Sequence, residues 1–589
     1  MTAGTSPRDR ADFDPPGPGP EEPEGGDYGP PPSMRDVRAG WATIDKTVFG
    51  WSFGIIAFVC IVGGIFHEKT EEWSGEALAW VIDNLGWFII LSASGFVIFS
   101  LVLAFGRYGR IPLSRNGEEP EFRTISWIAM MFSAGMGIGL MFYGVYEPAF
   151  HTASPPPFSS AEPDTAAAAQ DAMAITFFHW GLHPWGMYAV VGLALAYSTF
   201  RMGRGNLMSS PFMSVLGSER IKRGWGKPID ILAIITTKFG SAVSLGLGSL
   251  QMAAGFTLLN SGEVEAEGGN RTAIIIIMVL TVGIVLSAAS GVAKGIQILS
   301  NLNMVVAGLL VVFVFIAGPT VFMLDLFPNA IGSYISQIVP LSFNSAAFGG
   351  AETSEWLSAW TIFYWAWWIS WTPFVGTFIA RISRGRTIRE FVLGVMLVPT
   401  AISAVWFVVF GGAGIDLQIG GVDIAGSANE AAGFYNMLDQ YPWLPITAGT
   451  VIFLTAIFFV SGADAGAVVL STLSSRGRKE PWEPLIVLWA VMTGVVAAVL
   501  LAVGGLDALK TFAILAATPF TVVLIGMCFC LWWDLRRDPL RQRRLGPVRG
   551  HVPVAAPEYA PFSDADLATN GNGDSDGSAS TSGADGERS

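Results

Sequence analysis

The chain has 589 residues, of which 51% are hydrophobic and only 14% are charged, and this composition excludes a soluble multidomain protein. The formal net charge is −13, but acidic residues concentrate in the two ends while the internal connections carry the basic ones. Cys60, Cys528 and Cys530 all lie in apolar runs, so neither a disulfide framework nor a cysteine metal site is indicated. We therefore expect an all-α, multi-pass membrane protein.

Residues 1–40 are rich in proline, glycine and acidic residues and are predicted to be a disordered tail. Twelve apolar runs follow, each close to the roughly 20 residues that a membrane-spanning helix needs. The runs occupy residues 48–66, 86–105, 124–146, 174–198, 230–258, 272–290, 303–323, 358–380, 392–411, 444–471, 484–503 and 509–533. Between the seventh and eighth runs, residues 326–357 are predicted to form an interfacial helix outside the cytoplasm.

Basic residues occur mainly in alternate connections between the runs, as the positive-inside rule requires. The connections after runs two, four, eight and ten contain Arg107, Arg110, Arg115, Arg201, Arg204, Arg220, Lys222, Arg223, Lys227, Arg381, Arg384, Arg386, Arg389, Arg476, Arg478 and Lys479. The basic residues of the opposite connections are only Lys69, Arg271 and Lys510. This pattern predicts twelve crossings of the cell membrane with both termini in the cytoplasm.

The last run is followed by a tail, residues 535–589, that is basic at first and then acidic and disordered. Its basic stretch contains Arg536, Arg537, Arg541, Arg543, Arg544 and Arg549. Beside an inner leaflet this stretch would attract anionic lipid at about 1 kcal/mol per residue. Ordinary positive-inside flanking explains the same residues equally well.

The third run contains the segment SAGMGIG, with glycine at positions 135, 137 and 139. Each glycine costs about 1 kcal/mol relative to alanine inside a helix. In a bilayer, an interrupted helix also frees backbone groups that need partners. The segment therefore predicts a broken helix that either packs closely on another helix or binds a ligand.

Aromatic residues cluster deep inside the fourth and eighth runs, away from the helix ends where interfacial tryptophans belong. On a continuous fourth helix, Trp180, Trp185 and Tyr188 would share one side. The eighth run contributes the segment YWAWWISW, with tryptophans at 365, 367, 368 and 371. Such clusters suit an aromatic cage for a quaternary ammonium group, although bulky core packing is the alternative. Thr372-Pro373 then predicts a second broken helix, as expected for an inverted repeat.

At this point the sequence resembles the betaine/carnitine/choline transporter family, over residues 40–540. The resemblance depends on SAGMGIGLMFYGVYEP, HWGLHPWGMY, DILAIITTKFGSAVSLGLGSLQ, FYWAWWISWTPFVGTFIARISRGRTIREF and FFVSGADAGAVVLS. It implies a leucine-transporter-like fold with two peripheral helices in 41–123 and inverted five-helix repeats in 124–325 and 358–534. It also implies a homotrimer that carries out secondary active transport by alternating access.

The resemblance assigns substrate-binding roles to both motifs. The aromatic box falls on Trp180, Trp185, Tyr188 and Trp368, with Trp367 and Trp371 beside it. The substrate carboxylate would meet backbone N–H groups around Ala134, Met136 and Gly137. Family members that carry choline often have an aspartate where this chain has Gly139. The glycine favours a zwitterion, with glycine betaine first, while ectoine, proline, dimethylsulfoniopropionate, carnitine and choline stay open.

The resemblance also implies sodium as the coupling ion, and neither an organic cofactor nor a nucleic-acid partner is expected. One sodium site maps to Ala134, Met136, Phe458, Ser461 and Gly462. Sodium-coupled members carry a hydroxyl where this chain has Gly462, so one ligand is lost there. The other site maps to Thr237, Ser241 and Phe374, and its two hydroxyls share a helix face. Proton-coupled transport or exchange on the same fold is the alternative.

Lys238 is a charged residue inside a predicted span, where charge is costly and usually functional. It either substitutes for a coupling cation, pairs with Asp464, or extends its ammonium to the cytoplasmic surface. Glu147 is expected to pack a loop turn at the end of the third helix. His179 and His183 are expected to be structural, with a proton-coupling role as the alternative.

Two other classes of membrane protein are disfavoured. A channel would need pore-lining polar rings, and an enzyme would need a nucleophile or a metal constellation. The sequence shows neither, so we expect a transporter and not an enzyme.

Overall fold

The computed structural model describes residues 40–115, 118–133, 137–262, 269–290, 293–478 and 480–538. Its contacts separate Met1–Thr43 from Ile44–Ser589, and all helices named below belong to the second unit. In the described residues the regular elements are helices, and one isolated antiparallel bridge joins Pro112 to Thr387. The predicted disorder of the two tails lies outside the described residues.

The helices follow one another along the described part of the chain, most of them joined by short connections. The first half contains α1 (Lys46–Ile65), α2 (His67–Phe105), α3 (Thr124–Ser133), α4 (Gly137–Ala153), α5 (Ala166–Trp180), α6 (Leu182–Ala196), α7 (Lys227–Ser261) and α8 (Gly269–Ser290). The second half contains α9 (Ala293–Ala317), α10 (Thr320–Ser342), α11 (Gly350–Leu357), α12 (Phe363–Ile382), α13 (Ile388–Ile419), α14 (Ala432–Asp439), α15 (Leu444–Ser474) and α16 (Glu483–Arg537).

Among the described residues, six helices are long and apolar enough to cross a membrane: α1, α2, α7, α13, α15 and α16. Asn301–Ala317 and Thr320–Ser342 form a pair bent by 109°, which would count as a seventh span. The prediction of twelve spans is therefore not confirmed, and neither is the inverted repeat. The predicted third run lies in α3 and α4 on either side of residues 134–136, which are not described. The predicted fourth run is divided into two shorter helices, and the last two runs lie in the single helix α16. That helix has non-helical backbone angles at Gly504 and Gly505.

The break predicted in the third run falls on residues that lie outside the described part of the chain. Helix α3 ends at Ser133 and α4 is described from Gly137 onward, so the break between them stays a prediction. A Cβ atom added to Gly137 would overlap the ring of Phe458, so only glycine lets α4 approach α15 this closely.

The break predicted at Thr372-Pro373 is wrong, because α12 runs through Pro373 without interruption. Proline has no N–H to donate to the carbonyl of Ile369. The Thr372 hydroxyl donates to that carbonyl over 2.7 Å and so satisfies it. The helix therefore keeps its course although one backbone hydrogen bond is missing.

A break that the sequence analysis missed divides the fourth run at Gly181, whose backbone angles are φ −99° and ψ −121°. Pro184 cannot donate to the carbonyl of Trp180, so the regular hydrogen-bond ladder cannot continue through this point. The backbone N–H of Leu182 is instead 3.2 Å from the hydroxyl of Tyr334, which accepts a hydrogen bond from it. Trp180 consequently ends α5, while Trp185 and Tyr188 lie on α6. The expectation of one continuous helix face is wrong.

Helix α10 covers part of the segment predicted to be interfacial. It buries Met323 and Tyr334 and exposes the apolar side chains of Val321, Ile335 and Val339. Its position relative to a membrane stays a prediction.

Candidate functional site

Four large aromatic side chains from α5 and α12 form a buried cluster. The ring centroids of Trp367 and Trp368 lie 4.6 Å apart in a stacked pair, and Trp180 stands edge-on to Trp368 at 5.0 Å. Tyr364 lies 5.4 Å from Trp180 and 5.9 Å from Trp368. The structure thus brings together three of the tryptophans that the sequence singled out, and it adds a tyrosine that the sequence analysis did not assign.

Three other predicted residues stand outside this ring cluster. Trp185 and Tyr188 form their own edge-to-face pair at 5.4 Å on α6, and Trp371 stands edge-on to Phe374 at 5.6 Å. Within the described part of the chain, Trp185 Nε1, Tyr188 Oη and Trp371 Nε1 are buried without a hydrogen-bond partner. Buried donors of this kind are rare in proteins and call for an explanation such as a ligand or an ordered water.

Gly139 on α4 lies directly against the aromatic cluster. A Cβ atom added there would be 2.6 Å from Cη2 of Trp180 and 2.8 Å from Cη2 of Trp367. Any side chain at this position would have to displace both indoles. Close packing against the two indoles therefore explains why this position is a glycine, independently of any effect on substrate charge.

Glu147 is the polar centre of the cluster, although it was expected to pack a loop turn, which is wrong. Its Oε2 accepts hydrogen bonds from Trp180 Nε1 at 2.7 Å and from Tyr364 Oη at 2.6 Å. Its Oε1 lies 2.7 Å from Nδ1 of His179. The only sequence signal was a carboxylate directly after the third predicted span, which ends at residue 146.

His179 extends the network to a third ring. Its Nε2 lies 2.9 Å from the hydroxyl of Thr361, and its backbone carbonyl accepts a hydrogen bond from Trp368 Nε1 at 3.0 Å. Glu147 and His179 together therefore fix the orientations of Trp180, Tyr364 and Trp368. His183 lies apart from this network, with its ring stacked on Trp365 at 5.0 Å and its Nε2 3.2 Å from the Ser342 hydroxyl.

The residues of the second predicted sodium site lie on two helices in close contact. Thr237 and Ser241 are on α7 and Phe374 is on α12. A Cβ atom added to Gly240 would lie 2.0 Å from Ser370 Oγ, which shows how closely the two helices approach. The Thr237 hydroxyl is buried and has no hydrogen-bond partner among the described residues.

The first predicted sodium site is described only in part. Ala134 and Met136 lie outside the described residues. Phe458, Ser461 and Gly462 are on α15, and Phe458 faces Gly137 of α4. The Ser461 hydroxyl donates to the carbonyl of Ile457 at 2.8 Å, and a Cβ atom added to Gly462 would meet no atom within 4 Å.

The position and partners of the Lys238 side chain contradict two of the interpretations made from the sequence. Its side chain is fully buried, so the ammonium does not reach the cytoplasmic surface. It donates to the carbonyl of Trp489 at 2.7 Å and to the hydroxyl of Thr493, both on α16. Within the described residues, Lys238 forms no ion pair with Asp464, which is half-buried on α15.

A helical chain with several apolar spans belongs to the class of multi-pass membrane proteins, and in this one an aromatic cluster is buried where the chain breaks after Trp180. Residues 47–540 match the sequence profile of the betaine/carnitine/choline transporter (BCCT) family. The chain therefore belongs to this family, and it is a transporter and not an enzyme.

Relatives support the same conclusion over most of the chain. The betaine/ectoine transporter LcoP of Corynebacterium glutamicum is 43% identical over 517 residues, which are 86% of this chain and 81% of LcoP. The glycine betaine transporter OpuD of Bacillus subtilis is 42% identical over 84% of this chain and 95% of OpuD. A probable glycine betaine transporter of Desulfitobacterium hafniense is 40% identical over 82% of this chain and 96% of that protein.

Proposed function

We propose that this protein imports a betaine-type zwitterion, with glycine betaine as the first choice, by secondary active transport coupled to sodium. The observation that carries the proposal is the contact of Trp180, Trp367 and Trp368 beside Gly139. Indole faces attract a quaternary ammonium group by about 2 kcal/mol or more when the contact is desolvated. The names of the relatives given above, glycine betaine and betaine/ectoine transporters, agree with a substrate of this type.

The carboxylate of the substrate would bind at the beginning of α4. The first N–H groups of a helix have no partner within the helix, and the helix dipole favours an anion there. The described part of α4 starts at Gly137, two residues before the glycine that faces the tryptophans. The predicted break before Gly137 would leave such N–H groups free at this point, where Ala134 and Met136 are also predicted to contribute.

Trp185, Tyr188 and Trp371 would complete the site in another state of the transport cycle. Their buried, unpartnered donors support a role in binding a polar ligand or its water. Alternating access would move helices around the site and so change which aromatic residues face the substrate.

Sodium is proposed as the coupling ion, mainly through Thr237, Ser241 and Phe374. The unpartnered hydroxyl of Thr237 supports this site because a cation accepts oxygen lone pairs without needing a donor. At the first site, Gly462 offers no side-chain ligand, and this observation favours proton coupling or exchange as the second candidate.

The experiment is uptake of labelled glycine betaine into proteoliposomes, with a sodium gradient, a proton gradient or internal unlabelled betaine imposed separately. Sodium coupling predicts accumulation driven by the sodium gradient alone. It also predicts that Thr237→Val raises the sodium concentration needed for half-maximal uptake. Thr257→Val on the same helix is the matched control, because that hydroxyl only donates to the carbonyl of Ala253. Uptake that ignores sodium and follows the proton or exchange gradient would contradict the proposal.

The remaining expectations are part of the same proposal. They are two peripheral helices with two inverted five-helix repeats, a homotrimer, both termini in the cytoplasm, and contact of the basic stretch after residue 535 with anionic lipid. These rest on the family resemblance and on the distribution of basic residues.

A further inference from the structure

Glu147, His151 and His179 form a buried group whose carboxylate and imidazole atoms all lie within 4.8 Å of one another. Glu147 and His151 come from the same face of α4, four residues apart, and His179 comes from the end of α5. All three side chains are fully buried. The betaine-transport function does not require such a group.

His151 is the residue whose environment points to a ligand. Neither of its ring nitrogens has a hydrogen-bond partner among the described residues, although the side chain is fully buried. A neutral imidazole always presents one donor and one acceptor, and burying both without partners costs about 1–3 kcal/mol for each group. Its ring centroid is 4.5 Å from Trp360 and 5.4 Å from Trp356, so the surrounding aromatic residues fix the ring without satisfying its nitrogens.

Glu147 and His179 each have one side-chain atom held by other residues and a second atom that could bind a metal ion. Oε2 of Glu147 is used by Trp180 and Tyr364, which leaves Oε1 facing the cluster. Nε2 of His179 is held by the Thr361 hydroxyl, which leaves Nδ1 facing the same point. Metal-binding histidines almost always have their other ring nitrogen held in this way.

We propose that Glu147 Oε1, His179 Nδ1 and one ring nitrogen of His151 bind a first-row transition-metal dication, with Zn²⁺ as the best match. Two imidazoles and one carboxylate are a common three-ligand set for zinc, which leaves a fourth position for water. Two nitrogen ligands disfavour Mg²⁺ and Ca²⁺, which prefer oxygen. Binding breaks the 2.7 Å hydrogen bond between Oε1 and Nδ1, because metal–ligand distances of about 2.0–2.2 Å place neighbouring ligands farther apart. The proton of that bond would pass to Nε2 of His179, which then donates to the Thr361 hydroxyl and leaves the Nδ1 lone pair for the metal.

The site would communicate with the aromatic cluster. The carboxylate that binds the metal through one oxygen holds Trp180 and Tyr364 through the other. Occupancy would therefore change the position or stiffness of Trp180, which lies next to Gly139, and of Tyr364 beside it. We expect Zn²⁺ to slow substrate uptake, whichever substrate and coupling ion the transporter uses.

The test is a titration of the purified full-length protein, prepared without a histidine tag, with Co²⁺ and then with competing Zn²⁺. The wild type should bind one Co²⁺ per chain with visible ligand-field absorption, and Zn²⁺ should abolish that absorption. His151→Phe keeps an aromatic ring between Trp356 and Trp360 but removes both nitrogens, and should weaken binding at least tenfold. The control is His67→Phe, because His67 is an exposed histidine at the start of α2 and should bind as the wild type does.

A measurement on the wild-type protein keeps the proposal testable even if the variant misfolds. X-ray absorption of the zinc-loaded wild type should show two imidazole ligands and oxygen ligands. The proposal is overturned by absence of stoichiometric Co²⁺ or Zn²⁺ binding, by equal binding in His151→Phe, or by a spectrum without two imidazoles. Betaine uptake measured in metal-free buffer reports on the proposed transport function separately, so either proposal can fail alone.

Discussion

At the scale of single residues, hydrogen bonds to Glu147 hold the rings of the aromatic cluster in place. Trp367 and Trp368 are neighbours in the sequence and stack on each other. The hydrogen bonds of Glu147 to Trp180 and Tyr364 join residues that are 33 and 217 positions apart. A local sequence pattern contains no information about such distances, and for this reason Glu147 was expected only to pack a loop turn.

Trp368→Leu should weaken binding of glycine betaine by roughly 30-fold, because a desolvated cation–π contact contributes about 2 kcal/mol. The measurement is the dissociation constant of the purified transporter by calorimetry. Trp51→Leu is the matched control, since Trp51 is 64% exposed on α1. Unchanged affinity in a Trp368→Leu protein that is expressed and folded would remove this ring from the binding site.

Glu147→Gln should reduce both thermal stability and betaine affinity. The amide replaces one acceptor oxygen by a donor group, so at least one of the donors from Trp180, Tyr364 and His179 loses its partner. Hydrogen bonds to a charged group contribute about 1.5–3 kcal/mol each. Thermal unfolding in detergent and betaine titration should both change, and Tyr364→Phe, which removes one donor only, should give a smaller effect. A Glu147→Gln protein with wild-type affinity would show that ring orientation does not depend on this carboxylate.

At the scale of the elements, the position of helix breaks depends on which backbone groups find other partners. Pro373 predicted a break, but the Thr372 hydroxyl satisfies the carbonyl that the proline leaves free. No break was predicted at Gly181 or Pro184, yet there the chain does break, with Leu182 hydrogen-bonded to Tyr334 on another helix. Glycine and proline make a break possible, while side-chain and tertiary hydrogen bonds decide whether it occurs.

Gly139→Ala should impair transport because it separates α4 from the aromatic cluster. The added methyl group would lie under 3 Å from both Trp180 and Trp367. Overpacking of this kind typically costs about 1–3 kcal/mol. We expect a higher KM for betaine and a lower thermal stability. Gly50→Ala is the control because a Cβ atom there meets nothing within 4 Å. Normal KM in Gly139→Ala would mean that both rings move without consequence for binding.

Lys238→Met should leave the sodium dependence of uptake unchanged. The ammonium contacts Trp489 and Thr493 of α16, so its role is to join α7 to that helix and not to occupy an ion site. Methionine keeps most of the apolar volume without the buried charge. The measurement is the sodium concentration for half-maximal uptake, with Lys510→Met as a control that removes the 3.0 Å ion pair to Glu430. A shifted sodium midpoint in Lys238→Met alone would revive the interpretation of Lys238 as a substitute cation.

At the scale of the whole molecule, two ion pairs fasten the end of α16 to the connection after α6. Arg204 binds Asp534 with two hydrogen bonds, of 2.6 and 3.1 Å, and Arg201 binds Asp538 similarly. The sequence analysis used both arginines only as evidence of orientation. Charge counts predict which side of a membrane a connection occupies, but they do not identify partners more than 300 residues away.

Arg204→Ala should destabilise the protein strongly, because it leaves the carboxylate of Asp534 buried without its bidentate partner. The two side chains are only 4% and 9% exposed, and breaking a buried pair by removing one partner typically costs about 3–5 kcal/mol. Asp534→Ala should be similarly harmful, whereas the double variant should be less unstable than the sum of both single variants. The measurement is the coupling energy from a double-mutant cycle of unfolding in detergent. The exposed pair Arg384–Glu118 is the matched control, with an expected coupling below about 1 kcal/mol. Additive effects at Arg204 and Asp534 would show that this contact does not fasten the end of α16.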